Sequence, residues 1–391
     1  QGRWRASTPA GSSTPDQERR MAQKKIVDHV LPTTMVGSYP RPHWYTEQLN
    51  GRDVRVAFKS VNHEESYIDA TAAVIRDQED VGLDIVTDGQ MSYDDYVGVI
   101  GSFCWYMYER IGGFEPAREP HPSEAGVEGE FDRVMTLIHD WGGVINSGPM
   151  THGPIHLRDL YEIAKPLATH PMKVSVGAGP VNLAWHVHFK HYPGPKEMCY
   201  ALAPIFNAEM KDLVEAGATY LQLEDLGAWL PLFTGDAADY DWIKDVIGQC
   251  TDGVDAKIGW HFCFGNAWGN DILSGNFPEG YQTVLPHFWD TPGIDEFVLD
   301  YANRDMAGVE FLANLPEDKS LQVGVLDIRS MMVESPEQVA TRARKVLEHV
   351  PADRVTLSTD CGMKPLPRTV AKMKLKALVD GAKIVRDEQT G

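Results

Sequence analysis

The residues best suited to chemistry in this chain are His261 and Cys263, which flank Phe262, and Cys361 in the stretch STDCG. Residues i and i+2 of a β-strand point to the same side, so the imidazole and the thiol converge if 261–263 is extended. Asp300, at the end of the apolar run FVLD, falls between the two cysteines in the chain. One imidazole, two thiols and a carboxylate make a tetrahedral zinc set, and thiolate with imidazole favours zinc over magnesium or calcium. Such a site acts as a Lewis acid on whatever fills its open position and needs no redox change. Singly these motifs are weak. Buried cysteine is common, and a lone H-x-C on a strand is more often core packing or chance; its conjunction with a cysteine at a later strand end is what points to a metal.

Groups so distant in sequence meet only if a regular scaffold carries them to one place. Apolar runs ending in polar or Gly-containing turns recur at 33–40, 83–90, 173–180, 219–225, 257–265, 297–305, 321–329 and 354–362. Runs of this kind read as strands buried on both faces, the pattern of a parallel sheet. With helical segments between them they predict an α/β chain folded as a (β/α)₈ TIM barrel. Helices are expected at 62–81, closed by Gly82, and at 200–216, closed by Gly217. Another starts at Ser335 with Pro336 in the first helical position, and the last runs over about 367–386. In such barrels, polar groups at the C-terminal strand ends converge on the face that carries active sites. Here those ends hold Ser38, Asp88, Gln90, Glu224, Asp225, His261, Cys263, Asp300, Asp327, Arg329, Asp360 and Cys361.

Residues 91–172 break the rhythm with an aromatic stretch at 103–114, a Pro/Glu-rich segment at 115–130 and an extra strand at 143–148. They read as a long excursion after the second strand, forming either a lid or a homo-oligomer contact. The first 25 residues read as a disordered tail or cloning remnant, with Met21 as a plausible start, and 26–391 as a single catalytic barrel.

A formal charge of −20 repels nucleic acid and anionic membranes, so neither is an expected partner. No run of apolar residues is long enough to span a bilayer. Five widely spaced cysteines are not a disulfide framework and suit a reducing, cytoplasmic compartment.

As an ordered set, several motifs resemble the catalytic C-terminal barrel of cobalamin-independent methionine synthases. The family's zinc-dependent relatives include epoxyalkane–coenzyme M transferases. The motifs are TTMVGSYPRP, LQLEDLG, WHFCFGN, VGVLDIRSMMVESPEQV and STDCGMK, and the match runs from about 31 to 388. Taken alone, only the H-x-C and DCGMK elements are specific.

The resemblance implies that His261, Cys263 and Cys361 bind zinc. It puts Asp300 where the family usually carries a glutamate ligand. Ser38, in the Gly-Ser turn, would meet the carboxylate of the thiol substrate. Glu224 would grip its amino group, with Asp225 beside it. Gln90 stands at or next to a position where many relatives have a second acidic residue, and Asp88 is a candidate to compensate.

Trp185, with His186 and His188, falls on the strand that faces the methyl donor, where it could stack on a pterin or another flat donor. Arg329, two residues after Asp327, stands where methionine synthases use a histidine for proton delivery. Arginine cannot donate a proton at neutral pH but can hold a carboxylate, sulfonate or phosphate.

The chemistry implied is methyl transfer to a small thiol. A free thiol is a poor nucleophile at neutral pH, whereas coordination to zinc deprotonates it. The partners are then a small-molecule thiol and an alkyl or methyl donor, a folate among the candidates. The alternative is an alkyl-thiol transferase or lyase of the coenzyme M type acting on a thiol with an anionic tail, motivated by Gln90 and Arg329. A metal-free barrel of the uroporphyrinogen decarboxylase type is a third reading.

Overall fold

A computed structural model describes residues 24–47, 49, 51–57, 61–93, 98–116, 144–185, 187–266 and 279–390. The first 23 residues of the expected tail, and 117–143 of the excursion, lie outside them.

Among the described residues nine strands are formed: β1 (Gly112–Pro116), β2 (Val144–Thr151), β3 (Val174–Ala178), β4 (Val187–Phe189), β5 (Tyr220–Glu224), β6 (Lys257–Phe262), β7 (Glu296–Asp300), β8 (Ser320–Leu326) and β9 (Val355–Thr359). Six of them pair in the order β3-β5-β6-β7-β8-β9, all parallel. The two remaining runs of the expected eight close the ring by single bridges. Thr33 bridges Leu357 of β9, and Val86 bridges Met172 just before β3. Between these two, the Ile85 amide donates to the Thr33 carbonyl at 3.0 Å. Every barrel run read from the sequence is therefore in place, and the structure is a TIM barrel.

The strands are apolar on the side facing the helices and carry a polar column inside. Tyr220, Gln222 and Glu224 alternate with Leu221 and Leu223, and all five are buried. The inward column is satisfied internally. Lys173 donates to Gln222 at 2.5 Å and to Gln322 at 2.8 Å, and Lys257 donates to Glu296 at 2.6 Å. A lysine this deep is tolerated only with such partners. Burial still pulls the Lys173 pKa down to about 7, against the opposing charges of Glu296 and Glu224.

Helices α1 (Val61–Asp80), α2 (Gly98–Tyr108), α3 (Leu157–Ala164), α4 (Pro180–Ala184), α5 (Pro195–Glu215), α6 (Ala238–Thr251), α7 (Pro336–Leu347) and α8 (Arg368–Thr390) surround or flank the strands. Ser335 caps α7 as its sequence predicts. Its hydroxyl accepts from the Gln338 amide and the Gln338 side chain accepts from the Ser335 amide, a complete capping box. No helix among the described residues is long and apolar enough to cross a membrane.

The described part of the excursion is packed rather than detached. The aromatic stretch forms α2, whose Tyr106 and Tyr108 are buried and donate to the carbonyls of Ile155 and Leu183. The expected extra strand is β2, which pairs antiparallel with β1 and parallel with β4 in a small second sheet. That sheet holds Val187–Phe189, which follow Trp185 closely in the chain.

Candidate metal centre

His261 is the fifth residue of β6, Cys263 follows the strand, and Cys361 follows β9. One potential ligand atom from each lies within 4.8 Å of the other two. His261 and Cys263 are buried, and Cys361 is partly exposed. The His261 Nδ1 lies 3.2 Å from the carbonyl of Val298, which can only accept, so that nitrogen carries the proton. The other nitrogen, Nε2, is buried without a hydrogen-bond partner. A tautomer fixed in this way, with an orphaned lone pair beside two sulfurs, is what a metal-binding histidine requires. The Gly265 amide donates to the Cys263 sulfur at 3.3 Å.

The electrostatics of the trio agree with its geometry. The neighbouring Cys263 thiol and the His261 imidazole hold the Cys361 pKa well below the usual thiol range against burial. Cys263 is pushed well above it, first by Cys361 and then by burial. Burial disfavours charge on His261, but Cys361, Glu224 and Asp300 outweigh it and raise the pKa. Two thiols beside a buried cation-favouring imidazole ask for positive charge, and a divalent thiophilic ion supplies it.

Asp300 ends β7 nearby but stands outside the trio. Tyr281 donates to its Oδ1, while Arg329 Nη2 donates to Oδ2 at 3.0 Å and the Phe264 amide approaches Oδ2 at 3.4 Å. Arg329 also lies 3.6 Å from Asp360 and donates to the Gly265 carbonyl at 2.5 Å. The guanidinium foreseen as a grip for an anionic substrate is thus already matched by two buried carboxylates. Asp327 shapes the turn that delivers it. Its carboxylate accepts from the Arg329 amide at 2.9 Å, and Lys374 holds its carbonyl at 2.8 Å.

Glu224 faces the barrel interior on β5, the register neighbour of His261. Its Oε1 accepts from Gln222 at 2.9 Å, Ser175 at 3.3 Å and Gln90 at 3.5 Å. Burial raises its pKa, with the Cys361 charge adding to the rise; His261, Gln222 and Lys173 act against it. Gln90 sits in a left-handed turn (φ 55°) held by Asp88, whose Oδ1 accepts from the Gln90 amide at 2.9 Å. Gly37 permits the closeness, since a Cβ there would come within 2.6 Å of the Gln90 side-chain Nε2. A cleft lined by Asp88, Gln90, Ser92, Tyr93, Lys173 and Ser175 adjoins this group. Ser38 lies against the closing loop, with its carbonyl accepting from the Met363 amide at 2.7 Å.

Asp225 and Trp185 are placed differently from what their sequence positions suggest. Alternation along β5 turns Asp225 away from Glu224 and under the start of α4, near the amides of Asn182, Val181 and Gly227. It is fully buried, and neither carboxylate oxygen makes a hydrogen bond of normal geometry. Burial raises its pKa to about 7, with those amides opposing. Trp185 follows α4, half-buried and edge-on to Phe233 with ring centroids 5.4 Å apart. His186 lies outside the described residues.

A testable consequence concerns stability. Because Asp225 is protonated more readily in the fold than in the unfolded chain, its contribution is full below about pH 4 and is lost as pH rises through about 7. That loss amounts to at most roughly 4 kcal/mol. Asp225→Asn is expected to melt several degrees above the parent at pH 8.5, by a clearly smaller margin at pH 5, and close to it below about pH 4. Thermal melts at these values check this, and a gap that does not widen with pH refutes it.

Sequence reasoning missed Tyr281, Lys173, Gln222 and Ser175 as supports of the site. Tyr281 lies in a short turn, Gly280–Thr283, with no motif around it. The other three sit on β3, on β5 or just before β3, where an inward polar residue looks like any alternation error until the barrel closes.

Residues 31–384 match the family model described as "Cobalamin-independent synthase, Catalytic domain". Methionine synthase from Saccharolobus solfataricus is 30% identical over 367 residues, covering 92% of this chain and 96% of that protein. The Sulfolobus acidocaldarius methionine synthase is 30% identical over 366 residues, covering 92% and 93%. Among solved structures, a B12-independent methionine synthase from Shewanella sp. W3-18-1 in complex with selenomethionine superposes with a TM-score of 0.76 at 24% identity. That superposition covers 92% of this chain and 99% of that one.

Proposed function

This chain belongs to the family of cobalamin-independent synthase catalytic domains and is a methionine synthase-like methyltransferase, and we propose that it methylates a small aminothiol of the homocysteine type at a zinc site formed by His261, Cys263 and Cys361. The observation that carries the zinc reading is the convergence of an orphaned imidazole nitrogen and two sulfurs within 4.8 Å. A zinc ion held there lowers the pKa of a thiol at its open position, so that the substrate reacts as a thiolate at neutral pH.

The chain's own groups then select and orient. Glu224 presents Oε2 to the substrate ammonium, its Oε1 being occupied by three donors. Ser38, in the turn beside the Cys361 loop, faces the carboxylate end. Trp185, its ring braced edge-on by Phe233, offers one flat apolar face for a methyl donor with an aromatic head, such as a methylfolate. The sulfur takes the methyl group and the donor nitrogen takes a proton. Arg329 is not the source of that proton. The reading with an anionic-tailed thiol keeps Gln90 but loses Arg329 as its charge partner, since Asp300 and Asp360 already balance that guanidinium. The five cysteines are all free, which suits a cytoplasmic enzyme.

The test is metal content joined to a thiol titration. Purified chain is expected to carry close to one zinc per molecule, and X-ray absorption should gain one sulfur neighbour on addition of homocysteine. A chain that binds no zinc, or whose zinc shell ignores every thiol offered, ends this reading.

A further inference from the structure

Resting on the zinc reading above, we infer that Arg329 is a positioning residue that clamps Asp300 out of the metal's reach, leaving the ion with three protein ligands and a fourth position open to the thiol.

Four observations carry this. Both Asp300 oxygens are already engaged by Tyr281 and by Arg329 at 3.0 Å, and the side chain is fully buried. Asp300 is not among the groups whose ligand atoms converge with His261, Cys263 and Cys361. To join them it would leave a buried guanidinium with Asp360, at 3.6 Å, as its one remaining counter-charge among the described residues. The clamp itself is fixed: Arg329 is anchored to the Gly265 carbonyl at 2.5 Å, next to the loop that carries Cys263.

Charge favours the same arrangement. One imidazole and two thiolates neutralise a dication. A carboxylate as fourth ligand would make the site anionic before the substrate thiolate arrives. With Asp300 held away, the incoming negative charge meets a neutral centre. Substrate entry then displaces no protein ligand.

The experiment loads the full chain with cobalt(II) or zinc and compares Asp300→Asn, Arg329→Met, the double variant and Cys263→Ser. Binding is read by chelator competition and by the cobalt ligand-field spectrum. Asp300→Asn is expected to keep the parent spectrum and to weaken binding by less than about tenfold, whereas Cys263→Ser loses at least about a hundredfold. Arg329→Met should free Asp300 to bind, so its spectrum changes and its affinity rises; the double variant should return to the parent spectrum. The inference is overturned if Asp300→Asn alters the spectrum or loses metal as Cys263→Ser does, or if Arg329→Met leaves the spectrum unchanged. If the parent binds neither ion, or Cys263→Ser binds as well as the parent, the zinc reading itself falls.

Discussion

Cys263→Ser is expected to yield a folded chain that holds under roughly a tenth of the parent's zinc and transfers methyl groups at least about a thousandfold more slowly. Serine is not deprotonated near neutrality and makes a poor partner for a soft divalent ion. Without the metal, a substrate thiol near pKa 8.5 is only about 3% thiolate at pH 7, which alone costs roughly thirtyfold. Loss of a fixed sulfur position accounts for the rest, since orientation contributes several further powers of ten in well-placed reactions. Zinc stoichiometry by plasma mass spectrometry and a methyl-transfer assay check the two parts separately. Cys250→Ala is the control, because Cys250 is buried in α6 away from the trio and should keep its zinc. Full activity in Cys263→Ser, or equal metal loss in both variants, would refute the assignment.

The barrel was legible because its signal is redundant. Each strand is a short apolar run closed by a turn, and errors of a residue or two at the ends do not change the count. The trio was legible for a narrower reason. An H-x-C pair on one strand and a cysteine at another strand end are local facts, and the barrel rule says where strand ends meet.

What stayed hidden is what depends on the third dimension. Asp300 carries a ligand's chemistry, yet nothing in FVLD announces that Arg329 and Tyr281 would hold it. Asp225 adjoins Glu224 and shares its charge, but one step along a strand reverses the side chain. Burial then gives the two carboxylates unrelated surroundings: Glu224 keeps hydrogen-bonding side chains, while Asp225 meets only backbone amides. Arg329 reads as an anion grip in isolation and proves to be neutralised by acids from two other strands' ends.

The same dependence on surroundings sets the second large effect, at Glu224. Its Oε1 is fixed through a chain of contacts in which Lys173 holds Gln222 at 2.5 Å and Gln222 holds Glu224 at 2.9 Å. The carboxylate therefore meets a ligand in one orientation, and no rotamer has to be frozen on binding. A charge-assisted hydrogen bond in a buried site is worth about 1.5–3 kcal/mol, so Glu224→Gln should lower kcat/KM for homocysteine by roughly ten- to two-hundredfold. The amine is remote from the sulfur and binds alike in ground and transition states, which places the loss in KM more than in kcat. A thiol of the same length without the ammonium should lose nothing and gain slightly, because the buried negative charge no longer goes unpaired. Steady-state kinetics with the two thiols on parent and variant decide the matter. An equal fall for both would mean that Glu224 supports the site without reading the amine, and a homocysteine KM that does not move would remove the aminothiol from the proposed reaction.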